Sequence, residues 1–529
     1  MSKPEEIYDR YRLNRPIDIV NILYLLFIVS VYSIYMHNMY FDITGTRGKV
    51  FTFGSLLYVI LFIVSYFLEI MLIKYYGTDK PVFYKDSRVI AMPEIWMGLF
   101  LIANIIALFM APDLSEAWTG EGGRYFGLSL VMIIAFSFIC LSREASVNMI
   151  VYTVFFLVSG LAYVMAVLQH FGFDPFGLRD KIVDRQKEMF ISLFGNINTY
   201  GSYICVALPV FVALFIFGKK ILPRVMAGII LFLAGMAIIP AKSDNVYLGL
   251  GVAFIVLFYI AILNKRFTEY IFSVLLLILG LETMAILNSV FNGSQKHING
   301  IAKIIENPKI MLIFVLIIVA VLIISLIFRA ADYEAYKNIQ SWKLLIVFSV
   351  ILIVAAAATI VLGVRSGNEL FKFNDEWGTY RGYIWRRGVS LFKESSPAHK
   401  IFGNGNETIG YLMKKYYYAE MVEITNKKYD NLHNEILQYL VTTGLFGLIA
   451  YLGFVVTSFI YIGKRMKGDA VAIGCLAGAA SYFAQSLVTL NQPITTPYFF
   501  VILAVGIGYI RYRDQGYGPF KDRKDENIL

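Results

Sequence analysis

Long apolar runs alternate with short polar connections from residue 17 almost to the end of the chain. Each run is long enough to cross ~30 Å of hydrocarbon as a helix. A helix also satisfies its own backbone where no water is at hand. The pattern predicts an all-α polytopic integral membrane protein with about fourteen transmembrane helices. Their approximate limits are 17 to 36, 52 to 74, 89 to 111, 126 to 142, 147 to 168, 200 to 217, 222 to 241, 245 to 264, 269 to 291, 309 to 329, 343 to 364, 436 to 462, 470 to 489 and 495 to 512. The chain then divides into an N-terminal segment 1–16, helices one to eleven within 17–364, a long loop 365–435, helices twelve to fourteen within 436–512, and a tail 513–529. A second sizeable loop, 169–199, interrupts the first block. Only the second half carries a loop as long as 365–435, and no fixed-period repeat appears. Transporters often match broken helices in two halves, whereas enzymes of the membrane surface hang reactive groups on one elaborated loop.

Composition agrees with the bilayer as solvent: 58% of residues are hydrophobic and 16% charged, which leaves little polar sequence for a separate soluble domain. The formal charge is +10, yet Lys and Arg are scattered among the connections and form no continuous basic stripe, so a nucleic-acid partner is not expected. Orientation explains them instead. With the N-terminus inside, the inner segments hold 25 Lys and Arg and the outer segments 22, of which 15 lie in the two long loops. The short outer loops, which the positive-inside rule counts, hold seven. Both termini are therefore expected in the cytoplasm and both long loops outside. The polar N-terminus lacks the pattern of a cleaved signal peptide. Cys140, Cys205 and Cys475 lie in apolar runs without CxxC spacing and read as packing residues.

Candidate chemistry concentrates in the loop 365–435. In TYRGYIWRRGVSLF, a short helix puts Arg381 and Trp385 on one face and Tyr380, Ile384 and Leu391 on another. A guanidinium beside the membrane suits a phosphate, since its fork donates twice and stays charged; a lipid headgroup or a structural ion pair is the alternative, favoured for Arg386 and Arg387. In SSPAHKIFGNGNETIG, Gly403 and Gly405 permit positive φ and backbone approach to a ligand, and His399 reads as a solvated histidine. In DNLHNEILQYLVTTGLFGLIAYL, His433 stands at the mouth of an apolar run with Asp430 three residues before it and Asn434 after it. It is either structural or a base for a sugar hydroxyl, with Asp430 or Asn434 fixing its tautomer. The apolar residues of the loop 169–199 (Ile182, Val183, Met189, Phe190, Leu193) suit a segment lying flat on the outer leaflet. Asn196, Asn198 and Tyr200 head the next span, where they bind a sugar or cap the helix. No DxD, HExxH or His/Cys cluster occurs in an outer loop, so metal-free chemistry is expected.

The strings YRGYIWRRGVSLFKESSPAHKIFGNGNETIG and DNLHNEILQYLVTTGLFGLIAYL together resemble the signature of the O-antigen ligase and polymerase family. AWTGEGGRYFGL, LQHFGFDPFG and FGNINTYGSYICVALP are similar to segments that precede it, in the same order, so the resemblance spans roughly residues 110 to 510. It implies a GT-C-like glycosyltransferase of the bacterial cytoplasmic membrane. Such an enzyme passes a glycan from polyprenyl (undecaprenyl) diphosphate to a glycan, lipid or cell-wall acceptor outside, with inversion and no cofactor. By motif, Arg381 is the diphosphate ligand and His433 the base. Asp430 and Glu435 are expected behind them, and Asn434, Asn198 and Ser243 beside the substrate. The family commonly has a Ser-Arg pair where this chain reads Ser243-Asp244. The second cation is then Lys242, as a point charge, or one of Arg124, Arg185 and Arg386. A lipid-linked oligosaccharide flippase also fits about fourteen spans, but it needs a charged central cavity, and intramembrane charges here are few, with Glu69 and Glu282 the clearest.

Overall fold

The computed structural model describes residues 15–75, 89–291, 305–330, 342–367 and 371–514. The expected terminal segments up to residue 14 and from 515 on lie outside them, as does His297. Every expected apolar run contains a helix. Among the described residues, eleven helices are long and apolar enough to cross a membrane, and Leu128–Arg143 and Ala470–Ser486 are apolar but shorter. Thr496–Asp514 has 19 residues and ends on charged side chains.

Two boundaries differ from expectation in ways that matter. The second helix begins at Ile43, so its first turns stand among the loops of one end of the bundle. The expected single run 436 to 462 is two helices, Glu435–Thr442 and Gly444–Arg465. Gly444 takes φ +69°, and a Cβ there would come within 2.3 Å of the Ile401 carbonyl oxygen, so the break is built around a residue with no side chain.

Helix Ile197–Phe217 is the axis of the bundle, with 94% of its apolar window buried. Ala470–Ser486, Ile221–Ile238 and Asp244–Leu263 pack around it. Small residues bring backbones together, as lipid-immersed helices require in the absence of a hydrophobic drive between them. A Cβ on Gly235 would sit 2.2 Å from the Leu277 carbonyl oxygen, and one on Gly280 2.1 Å from that of Phe232. Pro308–Ala330 and Leu345–Arg365 lie at the rim, with 11% and 6% of their windows buried.

Buried charges are paired at one end of the bundle, as burial demands. Arg15 Nη2 lies 2.8 Å from Glu144 and 3.3 Å from Glu69, and Arg511 Nη1 lies 2.7 Å from Glu94. The opposite end gathers segments far apart in sequence. There buried Arg47 donates to the carbonyls of Tyr32, Tyr35 and Leu193, and Gly48 packs on Pro493.

The long loop is a folded cap. Helices Trp377–Glu394, Pro397–Phe402 and Ile409–Thr425 enclose a small core of their own that includes Tyr383, Ile384, Leu391, Ile409, Met413 and Leu432. The segment 169–199 does not form the flat amphipathic element expected. It makes a 3-10 turn, Asp184–Met189, and a two-stranded ribbon pairing Phe190 with Asn196 and Ile191 with Gly195. Ile191, Leu193 and Phe194 are buried in the bundle, and Arg179 pins the ribbon by donating to the carbonyls of Phe190 and Gln169 at 2.9 and 2.8 Å.

Candidate active site

Helix Trp377–Glu394 carries a local irregularity at its start: Gly378, Thr379 and Tyr380 are left-handed, so regular helix begins at Arg381. Gly382 follows because a Cβ there would strike the Asn374 carbonyl oxygen at 1.8 Å. Arg381 is partly buried, and none of its donors forms a hydrogen bond or ion pair with another described residue. Burial pulls its pKa below the usual guanidinium value, and nearby Asp244 and Tyr429 offset part of that.

His433 is set by a tight turn. Its N–H donates to Asn431 Oδ1 at 2.7 Å, its own φ is +49°, and Asn434 caps the helix Glu435–Thr442 by accepting from the Leu437 N–H at 3.0 Å. Left-handed backbone at a residue other than glycine carries strain that a surrounding fold must hold. The Tyr429 ring meets the imidazole edge-on at 6.3 Å. Burial, then the positive charges of Arg381 and Arg124, hold the His433 pKa down to about 3, so the ring is neutral at pH 7.

Arg124 joins this neighbourhood from the other half of the chain. Its Nε and Nη2 donate to Asp430 Oδ1 at 3.1 and 3.0 Å, and its backbone N–H donates to Glu407 Oε2 at 2.7 Å. The GEGG string makes room for that contact, since a Cβ on Gly123 would lie 2.2 Å from Glu407 Oε2. Glu407 is buried, and burial raises its carboxyl to about 8.

The structure thus brings Arg381, His433, Arg124, Asp430 and Asp244 into one region and sends other expected residues elsewhere. Asp430 and Asn434 do not fix the imidazole tautomer: the first accepts from Arg124 and the second caps a helix. Lys242, left-handed at the turn before helix Asp244–Leu263, lies 3.7 Å from Glu188. Ser243 Oγ donates to Asn198 Oδ1 at 2.6 Å, and Asn196 caps its helix through the Asn198 N–H. Arg185 is exposed on the 3-10 turn, Arg386 pairs with Asp375, and Arg387 pairs with Glu420. Glu435 is buried beside Ser486, Tyr451, Asn491 and Tyr439.

The glycine turn is not a ligand cradle either. Gly403 and Gly405 have φ +83° and +97°, and the N–H groups of Asn404 and Gly405 donate to the Thr442 carbonyl at 3.1 and 2.9 Å. Their missing side chains let the turn close on helix Glu435–Thr442 and on Ala111. Sequence reasoning passed over Glu407 and Tyr429. Their only signal was position, one inside the glycine turn and one beside Asp430.

A search of curated proteins finds no match. Residues 229–452 match the family model described as O-antigen ligase, a segment that holds Lys242, Ser243, Arg381 and His433 and leaves Arg124 outside. With its many apolar helices and an uncommitted guanidinium beside a neutral histidine, the chain is similar to the O-antigen ligase family over residues 229–452.

Proposed function

We propose that this chain takes a glycan from a polyprenyl diphosphate carrier and attaches it to an acceptor hydroxyl at the outer face of the bacterial cytoplasmic membrane. Arg381 holds the diphosphate and His433 takes the hydroxyl proton. The observation that carries this reading is the uncommitted, partly buried Arg381 guanidinium in electrostatic reach of a neutral His433 imidazole. As the proton passes to His433, the acceptor oxygen forms its bond to the anomeric carbon. The bond from that carbon to phosphate breaks on the opposite face, and polyprenyl diphosphate leaves with the electron pair. Attack opposite the leaving group inverts the anomeric centre. Diphosphate leaves readily once its growing charge is met, so fixed guanidinium donors replace a metal ion in this scheme. Arg124 is the second cation, because it is the one of the four candidates whose charge, like that of Arg381, acts on His433.

The donor also tunes the base. A histidine held at about 3 by burial and then by two arginines is a poor base in the empty site. The negative diphosphate neutralises the arginine charges on binding and relieves their share of the depression, so proton abstraction is coupled to donor occupancy. A ligase and a polymerase share this chemistry and differ in the acceptor, a lipid or cell-wall hydroxyl in one and the growing glycan in the other. The outer placement rests on the 25 inner Lys and Arg against seven in the short outer loops.

Arg381→Lys tests the reading, since it keeps the charge and loses the two-pronged donor. In nanodiscs supplied with lipid-linked glycan, kcat/KM is expected to fall by roughly 10², with normal insertion. A Lys variant of near wild-type activity overturns the role assigned to Arg381.

A further inference from the structure

Beside Arg381, the helix Trp377–Glu394 opens onto a cleft that the transfer step does not use. It holds about 480 Å³, and its walls include Phe373, Trp385, Arg386, Ser390, Lys393 and Leu437. Three rings converge at its head: Trp377 and Trp385 stand 5.3 Å apart, and Phe373 lies 5.5 and 6.2 Å from them. Phe373 is 56% exposed despite its size. The Trp385 Nε1 is buried and has no hydrogen-bond partner among the described residues, although a buried indole N–H ordinarily finds one. Arg386 is paired with Asp375 and Arg387 with Glu420, while Lys393 adds a positive charge, so the rim presents fixed hydrogen-bonding groups with a positive balance.

Such a surface suits a sugar ring better than an isoprenoid chain. An isoprenoid wants apolar contact along its whole length, whereas here Arg386, Ser390 and Lys393 interrupt the apolar wall. A pyranose has an apolar C–H face that packs on the electron-rich face of an aromatic ring, and rim hydroxyls that meet fixed polar groups. Position agrees. At 1.5 Å per residue, Trp385 lies about 6 Å along the helix from Arg381, and Lys393 about 12 Å further. We propose that this cleft is a glycan subsite, holding a sugar of the oligosaccharide beyond the residue that reacts, with Trp385 and Phe373 as the stacking platform and Arg386, Ser390 and Lys393 as the polar groups that meet its hydroxyls. The assignment rests on the glycan-transfer reading for its place in the reaction. The sugar belongs either to the donor chain or to the acceptor.

The test uses the full-length protein in nanodiscs. Isothermal titration is run with the oligosaccharide released by mild acid from the host's own lipid-linked repeats and, separately, with sugar-free polyprenyl diphosphate. Trp385→Leu and Phe373→Ala are expected to weaken oligosaccharide binding about tenfold, and Trp385→Tyr, which keeps a ring and a polar tip, to recover most of it. Polyprenyl diphosphate binding should not move. In transfer assays the same variants raise KM about tenfold at near-constant kcat, for the donor if the donor chain occupies the cleft and for the acceptor if the acceptor does. Unchanged oligosaccharide binding in both ring variants overturns the proposal, and so does an equal loss of sugar-free carrier binding, which assigns the cleft to lipid. If the wild type transfers no glycan yet binds the oligosaccharide through Trp385, the transfer reading fails and the subsite stands.

Discussion

His433 takes its chemical character from neighbours that belong to other segments: burial first, then Arg381 and Arg124, keep it neutral. His433→Ala is expected to insert normally and bind donor, because the side chain caps no helix and its ring makes no hydrogen bond to another described residue, while turnover falls by roughly 10² to 10⁴. His433→Gln separates positioning from proton transfer, since glutamine hydrogen-bonds the acceptor but takes no proton. Substantial activity in the Gln variant moves the base elsewhere. The same electrostatics set a pH profile. With the free-enzyme pKa near 3, kcat/KM should show no acid limb from His433 between pH 5 and 7, and Arg124→Gln, which removes one of the depressing charges, should move that limb upward. Glu407 titrates in the opposite sense. Its folded pKa of about 8 exceeds the ordinary carboxyl value of 4.5, so the native state holds a proton that the unfolded chain has released. Its stabilising contribution is complete below pH 4.5 and lost as pH rises through 8. Thermal stability of the wild type should therefore fall from pH 6 to 8, and Glu407→Gln, which keeps an acceptor for the Arg124 N–H, should flatten that slope.

Whole helices depend on a few places where a side chain is missing. Gly235 and Gly280 face each other across the crossing of Ile221–Ile238 with Phe267–Phe291, each within reach of the other helix's carbonyls. Gly235→Leu should force these helices apart at a cost of about 1–3 kcal/mol, read as a lower melting temperature in detergent; an unchanged melting temperature contradicts the close crossing. The apolar runs were legible in the sequence because hydrophobic length is a direct consequence of bilayer thickness. The division at Gly444 was not, since LQYLVTTGLFGLIAYL reads apolar straight through and only the tertiary contact with Ile401 calls for a glycine there. The cap 371–443 was legible as a site of chemistry and illegible as a fold, its core being assembled from short helices whose apolar residues are thinly spread. Arg381 and His433 could be singled out by residue type and motif. The commitments of Asp430, Asn434 and Lys242 could not, because their partners Arg124, Leu437 and Glu188 follow from folded geometry.

At the scale of the molecule, the cap and the Arg124 loop share one end of the bundle, and the Arg15 and Arg511 ion pairs close the other. The proposed orientation puts the first end outside. Single cysteines at Lys427 and Gly518, in a background without Cys140, Cys205 and Cys475, test this with an impermeant thiol reagent. Labelling at 427 and protection at 518 in intact cells is the expected result, and the reverse sinks the orientation. The bond from Arg124 to Asp430 spans 306 positions of sequence, and one of its partners lies outside the segment that matches the family model. Inheritance has to respect that distance. A recombination that imports residues 229–452 from a relative brings a new Asp430 to an old Arg124, so the two positions are expected to change together among descendants, and a chimera joined near residue 229 should regain function when its GEGGR loop is exchanged as well.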